Sequence, residues 1–175
     1  MKITILESSP HKTGASNTLA DNFIRGAEVA GHTVNVFDVA HCNIADCTGC
    51  YLGHNTQKCV IADEIQLIEE SLETSQMIVY VTPIYYYGMT SSLKKVIDRL
   101  HCFSPKLHGM KSLLLATAWR EDDEVMHYLR EYYRAITRYL DFENMGEIMA
   151  KGCGNVDTIK NSIYAKEAYS LGASL

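Results

Sequence analysis

The sequence has no surplus of positive charge: 16 Lys and Arg against 21 Asp and Glu leave a net charge of −5. Nonspecific nucleic-acid binding needs a basic surface to replace counterions, so no nucleic-acid partner is expected, although a local basic pocket for one phosphate is still allowed. Nor is there an apolar run approaching the ~20 residues that span a bilayer, so no membrane partner is expected either. The opening residues, Met-Lys-Ile-Thr-Ile-Leu-Glu, lack the layout of a signal peptide and read as a first strand. The expected compartment is the cytoplasm, where six cysteines read as thiols or ligands and not as structural disulfides. Internal repeats, low-complexity tracts and composition breaks are absent. A length of 175 residues suits one domain with a full core and is too short for two of ordinary size. A single domain over residues 1–175 is the expected organisation.

What the sequence does contain is an alternation of strand and helix patterns. Residues 2–6, Thr33–Asp38, Met77–Val81, Ser112–Ala118 and Phe142–Ala150 read as five strands, the last interrupted by Gly146. Met77-Ile78-Val79-Tyr80-Val81 in particular reads as a strand buried on both faces. Helical stripes follow at Leu19, Phe23 and Ala27; at Ile65, Ile68 and Leu72; at Leu93, Val96, Ile97 and Leu100; and at Val125, Leu129 and Tyr133. Gly31 ends the first helix, Thr90 or Ser91 caps the third, and a single closing helix is expected from Val156 to Leu171. This order predicts an α/β fold with a five-stranded parallel sheet, helices on both faces and the flavodoxin-like strand order. Ligands of such sheets bind outside the carboxyl ends of the strands, at the switch point between strands one and three.

Three unusual loops leave those carboxyl ends. Ser8-Ser9-Pro10-His11-Lys12-Thr13-Gly14-Ala15-Ser16-Asn17-Thr18 offers hydroxyls, an amide, a lysine and the N–H groups of a helix start, the requirements of an anion site. It has neither Walker A nor Gly-x-Gly-x-x-Gly spacing, and a plain polar loop with an ordinary Ser16 or Asn17 cap is the alternative. Pro83-Ile84-Tyr85-Tyr86-Tyr87-Gly88-Met89 carries much aromatic surface and almost no charge. It reads either as the wall of a pocket for a flat ligand or as the cover of a core. The third loop, Thr117-Ala118-Trp119 and the acidic run to Glu124, combines small residues with the one tryptophan; its acids suit a helix amino terminus.

The segment Thr-Pro-Ile-Tyr-Tyr-Tyr-Gly-Met followed by Leu-Lys-Lys-Val-Ile-Asp-Arg resembles the flavin-contacting loop of the NAD(P)H-dependent FMN reductases of flavodoxin-like fold. The resemblance covers nearly the whole chain. It implies FMN as cofactor and NAD(P)H as co-substrate, with Pro83, Ile84, Tyr85, Tyr86, Tyr87, Gly88 and Met89 against the flavin ring; Tyr86 stands where many members have Trp. The first loop is similar to the family's Ser-Pro-Arg-x-x-x-Ser-x-Thr phosphate loop. By position, Ser9, Lys12, Ser16, Asn17 and Thr18 would hold the FMN phosphate. Ser8 departs from a common Gly, and His11 from a common Arg, which would leave Lys12 as the main cation and make binding depend on pH through His11. Thr117 and Ala118 would let the ring approach the backbone, with Trp119 either flanking it or covering the core edge.

The implied activity is hydride transfer from NAD(P)H through FMN to a small-molecule acceptor: a quinone, a nitro- or azo-aromatic compound, or free flavin. The flavin carries that chemistry, so no catalytic side chain is named. A homodimer with the site near the subunit interface is also implied. The alternative is a flavodoxin-type electron carrier serving protein partners.

Residues 39–60 hold four of the six cysteines in a connection long for a compact domain. Cys-x-x-Cys at Cys47 and Cys50, with Cys59 beyond, reads as a metal or iron–sulfur site, a redox dithiol or a packed structural loop. Related iron–sulfur flavoproteins carry four cysteines here; this chain is similar at Cys47, Cys50 and Cys59 but has Gly53 at the remaining place, with Cys42 a distant substitute. Three ligands seldom hold a cubane, so no metal is expected. His41, Asp46 and His54 read as solvated residues, and His101, Cys102 and Cys153 as helix-end and packing residues.

Overall fold

Apolar runs flanked by polar turns form a parallel sheet because the central strands have no solvent face to satisfy. In the computed structural model, which describes residues 1–53 and 55–175, the strands are β1 (Lys2–Glu7), β2 (Thr33–Asp38), β3 (Met77–Pro83), β4 (Lys111–Thr117) and β5 (Glu143–Ala150). Their order is β2-β1-β3-β4-β5, all parallel, as the alternation predicted. The helices are α1 (Ala15–Val29), α2 (Ile65–Thr74), α3 (Ser91–Arg99), α4 (Glu124–Tyr139), α5 (Val156–Lys160) and α6 (Ile163–Ala173). His54 lies outside the described residues.

Strand periodicity sorts the core into two layers. Ile3, Ile5, Val79, Val81, Leu113 and Leu115 pack with Leu19 and Phe23 of α1 and Ala168 of α6. Leu6, Ile78, Tyr80 and Leu114 face the other way, onto Ile68, Val96 and Leu129 of α2, α3 and α4. Helix α1 and helix α6 approach until their backbones touch. A Cβ at Gly26 would fall 2.1 Å from the Tyr169 carbonyl oxygen, and one at Gly172 would fall 2.2 Å from that of Phe23.

Two expectations are refined. The closing helix is divided into α5 and α6, because Ser162 adopts an extended conformation and its hydroxyl donates to the Ile159 carbonyl at 2.7 Å. A short polar side chain here competes with the helix ladder. Gly146 does not break the fifth strand. With φ at 139° it carries the register shift opposite Ser112–Leu114, a bulge that glycine accommodates.

Among its described residues the long connection after β2 has no strand or helix of its own up to α2; one buried side chain organises it. Arg99, at the end of α3 and 1% exposed, directs all its donors inward. Nε–H donates to the Cys59 sulfur at 3.1 Å, and the terminal nitrogens donate to the carbonyls of Ala45 (2.7 Å) and Ile61 (3.0 Å) and to both Asp63 oxygens (2.7 and 3.1 Å). Burial pushes the Asp63 carboxyl up, but hydrogen bonds from Arg99 and from the Ala45 and Ile65 amides hold it below the usual carboxylate range. Removing one partner of a buried pair strands the other charge. Arg99→Ala should therefore cost about 3–5 kcal/mol in urea unfolding, and Arg99→Lys should recover little, because an ammonium offers three donors without the planar fork.

Glu7 at the end of β1 is also buried, and it lies near Asp21 and Asp38. Desolvation first, then these two carboxylates, raise it from an ordinary value of 4.5 to about 7. An acid raised on folding stabilises the native state below its unfolded pKa and loses that contribution as pH climbs through the folded value. Wild-type stability should therefore fall between about pH 4.5 and 7 by on the order of 3 kcal/mol, at ~1.4 kcal/mol per pH unit. Glu7→Gln should be the more stable protein at pH 8 and lose that advantage at pH 4, as read by denaturant titrations at both values.

Candidate functional site

The carboxyl ends of β1, β3, β4 and β5 open onto one cavity of about 520 Å³, within the ~300–1,000 Å³ of small-molecule sites. Backbone bonds lock its loops together: Ile84 N–H donates to the Thr117 carbonyl at 2.8 Å, Ala118 N–H to that of Ala150 at 3.0 Å, and Cys153 N–H to that of Ala118 at 2.8 Å. Ser8 explains its own departure from glycine, since its hydroxyl donates to the Val81 carbonyl at 2.8 Å and ties the first loop to β3.

One end of the cavity is a polar cradle. Ser9, His11 and Ser16 line it. Ser9 Oγ fixes the turn by donating to the His11 carbonyl and accepting its N–H, both at 3.2 Å. Helix α1 starts at Gly14 without a side-chain cap, which leaves its first-turn N–H groups and the positive end of its dipole to be satisfied from outside. Beside them, Ser16 Oγ and Asn17 Oδ1 are buried with no hydrogen-bond partner among the described residues. Buried polar atoms are normally paired. Uncapped N–H groups beside an unpaired hydroxyl fit a phosphate. Asn17 does not itself line the cavity; its amide nitrogen donates to the Lys12 carbonyl at 3.3 Å, and its unpaired oxygen is an acceptor.

The opposite end is apolar and flat. Pro83, Ile84 and Tyr85 form one wall, Thr117, Ala118 and Trp119 another. Trp119 is 86% exposed, so it flanks the cavity and does not cover the core edge. Among the described residues no carboxylate lines the cavity, and two of the acids after Trp119 are engaged elsewhere: Asp122 with Arg120 and Asp123 with Lys151, each at 2.6 Å.

The structure does not gather every expected residue here. Lys12 is exposed and does not line the cavity, because a turn closed by Gly14 N–H on the His11 carbonyl carries it outward. Thr18, two residues and about 200° beyond Ser16 on the helix, donates to the Gly14 carbonyl and borders a separate surface hollow. Tyr86, Tyr87, Gly88 and Met89 line a second cavity of about 640 Å³ with Tyr128 and Tyr132 of α4. The aromatic loop is thus a partition, with Tyr85 on one side and the rest on the other. Gly154, Asn155 and Val156 of the β5–α5 loop complete the first cavity and were missed. The Asn-x-x-Thr pattern, seen here as a capping box between Asn155 and Thr158, was the available signal.

The partition is strained. Tyr85 and Gly88 exchange N–H···O bonds at 3.0 and 3.1 Å, closing a two-residue hairpin whose central residues have φ of 47° (Tyr86) and 66° (Tyr87). Such turns prefer Asn-Gly, and side chains there cost about 1–2 kcal/mol each. Tyr87 gains an edge-on contact with Tyr128, centroids 5.7 Å apart; Tyr86 is fully exposed. Tyr86→Asn, which tolerates this conformation, should raise stability by about 1 kcal/mol, measured as a shift of the denaturation midpoint at unchanged slope.

Comparison with known proteins gives consistent relatives. Residues 1–144 match the profile of the family described as NADPH-dependent FMN reductase. An iron–sulfur flavoprotein of Archaeoglobus fulgidus is 26% identical over 139 residues, 77% of this chain and 63% of its own. Across four such curated flavoproteins the matched region spans 51–63% of the relatives' length. The fold is shared with an NAD(P)H:quinone oxidoreductase from Methanothermobacter marburgensis (TM-score 0.78, 18% identity, 99% of this chain and 96% of that one). It is shared too with an FMN-dependent NADH-azoreductase from Bacillus anthracis str. Ames Ancestor, solved with FMN (TM-score 0.72, 14% identity, 99% and 98%).

Proposed function

The chain belongs to the NADPH-dependent FMN reductase family, and on that premise we propose that it is an FMN-dependent oxidoreductase, drawing a hydride from NAD(P)H and reducing a small-molecule acceptor. A quinone, a nitro- or azo-aromatic compound or free flavin fits that role. The observation that carries the reading is the single cavity with a phosphate cradle at one end and flat apolar walls at the other. When bound, FMN supplies hydride acceptance and electron release, which no side chain in this cavity can supply.

The chain's own residues bind, orient and exclude water. The Ser16 hydroxyl and the first-turn amides of α1 would hold the phosphate, with Ser9 shaping the turn, Asn17 contributing only if its amide nitrogen turns from the Lys12 carbonyl, His11 at the rim and Lys12 outside it. Pro83, Ile84, Tyr85 and Trp119 would fix the plane of the ring, and the small side chains of Thr117 and Ala118 let it lie close to backbone. One FMN-binding domain then accounts for the whole chain. Among the described residues no helix is long and apolar enough to cross a membrane, and the cysteine usage supports a cytoplasmic setting. Tyr86, Trp119, Tyr128 and Tyr132 are all exposed beside the two cavities, which supports a homodimer that covers them.

Flavin titration tests the cradle. Ser16→Asp puts a negative charge among the phosphate ligands and should weaken FMN by on the order of 100-fold, about two charge-assisted hydrogen bonds' worth. Riboflavin, which has no phosphate, should bind both proteins alike. Under anaerobic conditions NADPH or NADH should bleach the bound flavin at a catalytic rate. Protein that takes up no FMN ends the proposal, and flavin left oxidised by both nicotinamides points instead to an electron carrier.

A further inference from the structure

At the other end of α3 from the tyrosine partition, the long connection folds back over a small cavity of about 190 Å³. Four sulfurs line it: Cys47, Cys50 and Cys59 from the connection and Cys102 from just beyond α3. Cys102 read from the sequence as a packing residue; the structure brings it beside the other three. Gly53 shows how. A Cβ at that position would lie 2.9 Å from the Cys102 sulfur and 2.2 Å from the Lys58 carbonyl oxygen. No side chain fits at residue 53 in this conformation, and the space one would enter is already occupied by a thiol from another element.

The sulfurs are also furnished with donors. Gly49, in the left-handed conformation at φ 65°, directs its N–H to the Cys47 sulfur at 3.4 Å. Arg99 Nε–H donates to Cys59 at 3.1 Å, and the Gly53 amide bonds the Cys102 sulfur. Neutral packed thiols have little use for three N–H donors. Metal-bound thiolates do, since hydrogen bonds to sulfur orient ligands and offset their charge.

We propose that Cys47, Cys50, Cys59 and Cys102 form a four-thiolate site for a soft metal centre, with Cys102 as the ligand that the connection itself lacks. Four sulfur ligands suit tetrahedral zinc or an iron–sulfur cluster. Among the described residues no three ligating side chains stand at metal-binding distance as they are. Cys59 and Cys102 are buried while Cys47 is exposed and Cys50 half-buried, so the Cys47–Cys50 turn closes onto a fixed pair. Each thiol gives up its proton as its bond to the metal forms. The other two cysteines lie apart, Cys42 against the α2–α4 layer and Cys153 in the layer of α1 and α6.

The test is Co²⁺ titration of reduced, metal-stripped full-length protein under anaerobic conditions. Wild type should take up about one equivalent with thiolate-to-cobalt charge-transfer and tetrahedral d–d bands. Cys102→Ser and Cys47→Ser should each weaken uptake by more than roughly 100-fold, beyond the 10–100-fold typical of outer-shell changes, whereas Cys42→Ser and Cys153→Ser should match wild type. Cys47 is exposed, so its variant keeps the test valid if Cys102→Ser misfolds by circular dichroism. Metal and acid-labile sulfide assays on anaerobically purified protein separate the sources: zinc without sulfide, or iron with it, each supports the site. Wild type that binds no Co²⁺, or a folded Cys102→Ser variant with an unchanged spectrum, overturns it.

Discussion

A guanidinium removed from water must have its N–H groups matched, because each unmatched donor costs on the order of 1–3 kcal/mol. Arg99 meets this condition with acceptors drawn from Ala45, Cys59, Ile61 and Asp63. A connection with no ladder of its own is thereby given one shape. Glu69 adds to it from α2, accepting the Cys59 N–H at 3.1 Å. The same helix α3 is held at its other end by Thr90, whose hydroxyl accepts from Leu93 N–H and whose own N–H donates to Thr82 Oγ1 at 3.1 Å. One short helix therefore fixes both the tyrosine partition at its start and the sulfur-lined cavity at its end.

At the sheet edge the fold leaves work undone. Ser16 and Asn17 bury polar atoms without partners, and Tyr86 and Tyr87 hold a backbone conformation that bulky residues avoid. Both features cost stability, and such costs persist where a ligand or a mechanism returns them. They occur on two loops that leave neighbouring strands at the switch point of the sheet, where a cofactor would meet both.

The sheet was legible because parallel strands buried on both faces are written as plain apolar runs, and the two ligand-facing loops were legible because their composition is odd for solvent. Helix α3 announced itself through Leu93 and Val96, and Thr90 proved to be the cap. What stayed hidden depends on distance in space. Nothing near Arg99 in the sequence marks it as buried, since its acceptors lie 36 to 54 residues earlier. Cys102 looked solitary because its companions belong to another element. The separation of Tyr85 from Tyr86 and Tyr87 follows from two backbone angles, which a run of identical residues cannot reveal. Lys12 was assigned by position in a loop whose turn, closed at His11 and Gly14, leaves it exposed and off the cavity lining.

The contact between α1 and α6 bears on how this chain can change over generations. Gly26 and Gly172 are both already the smallest residue, so a methyl gained at either cannot be compensated by a loss at the other; the helices themselves would have to part. Since the amino end of α1 is the cradle, any lineage that acquires a side chain at position 172 must re-seat the cradle as well. Selection on the cofactor pocket therefore reaches the last turn of α6, at a buried glycine that lines none of the cavities described above.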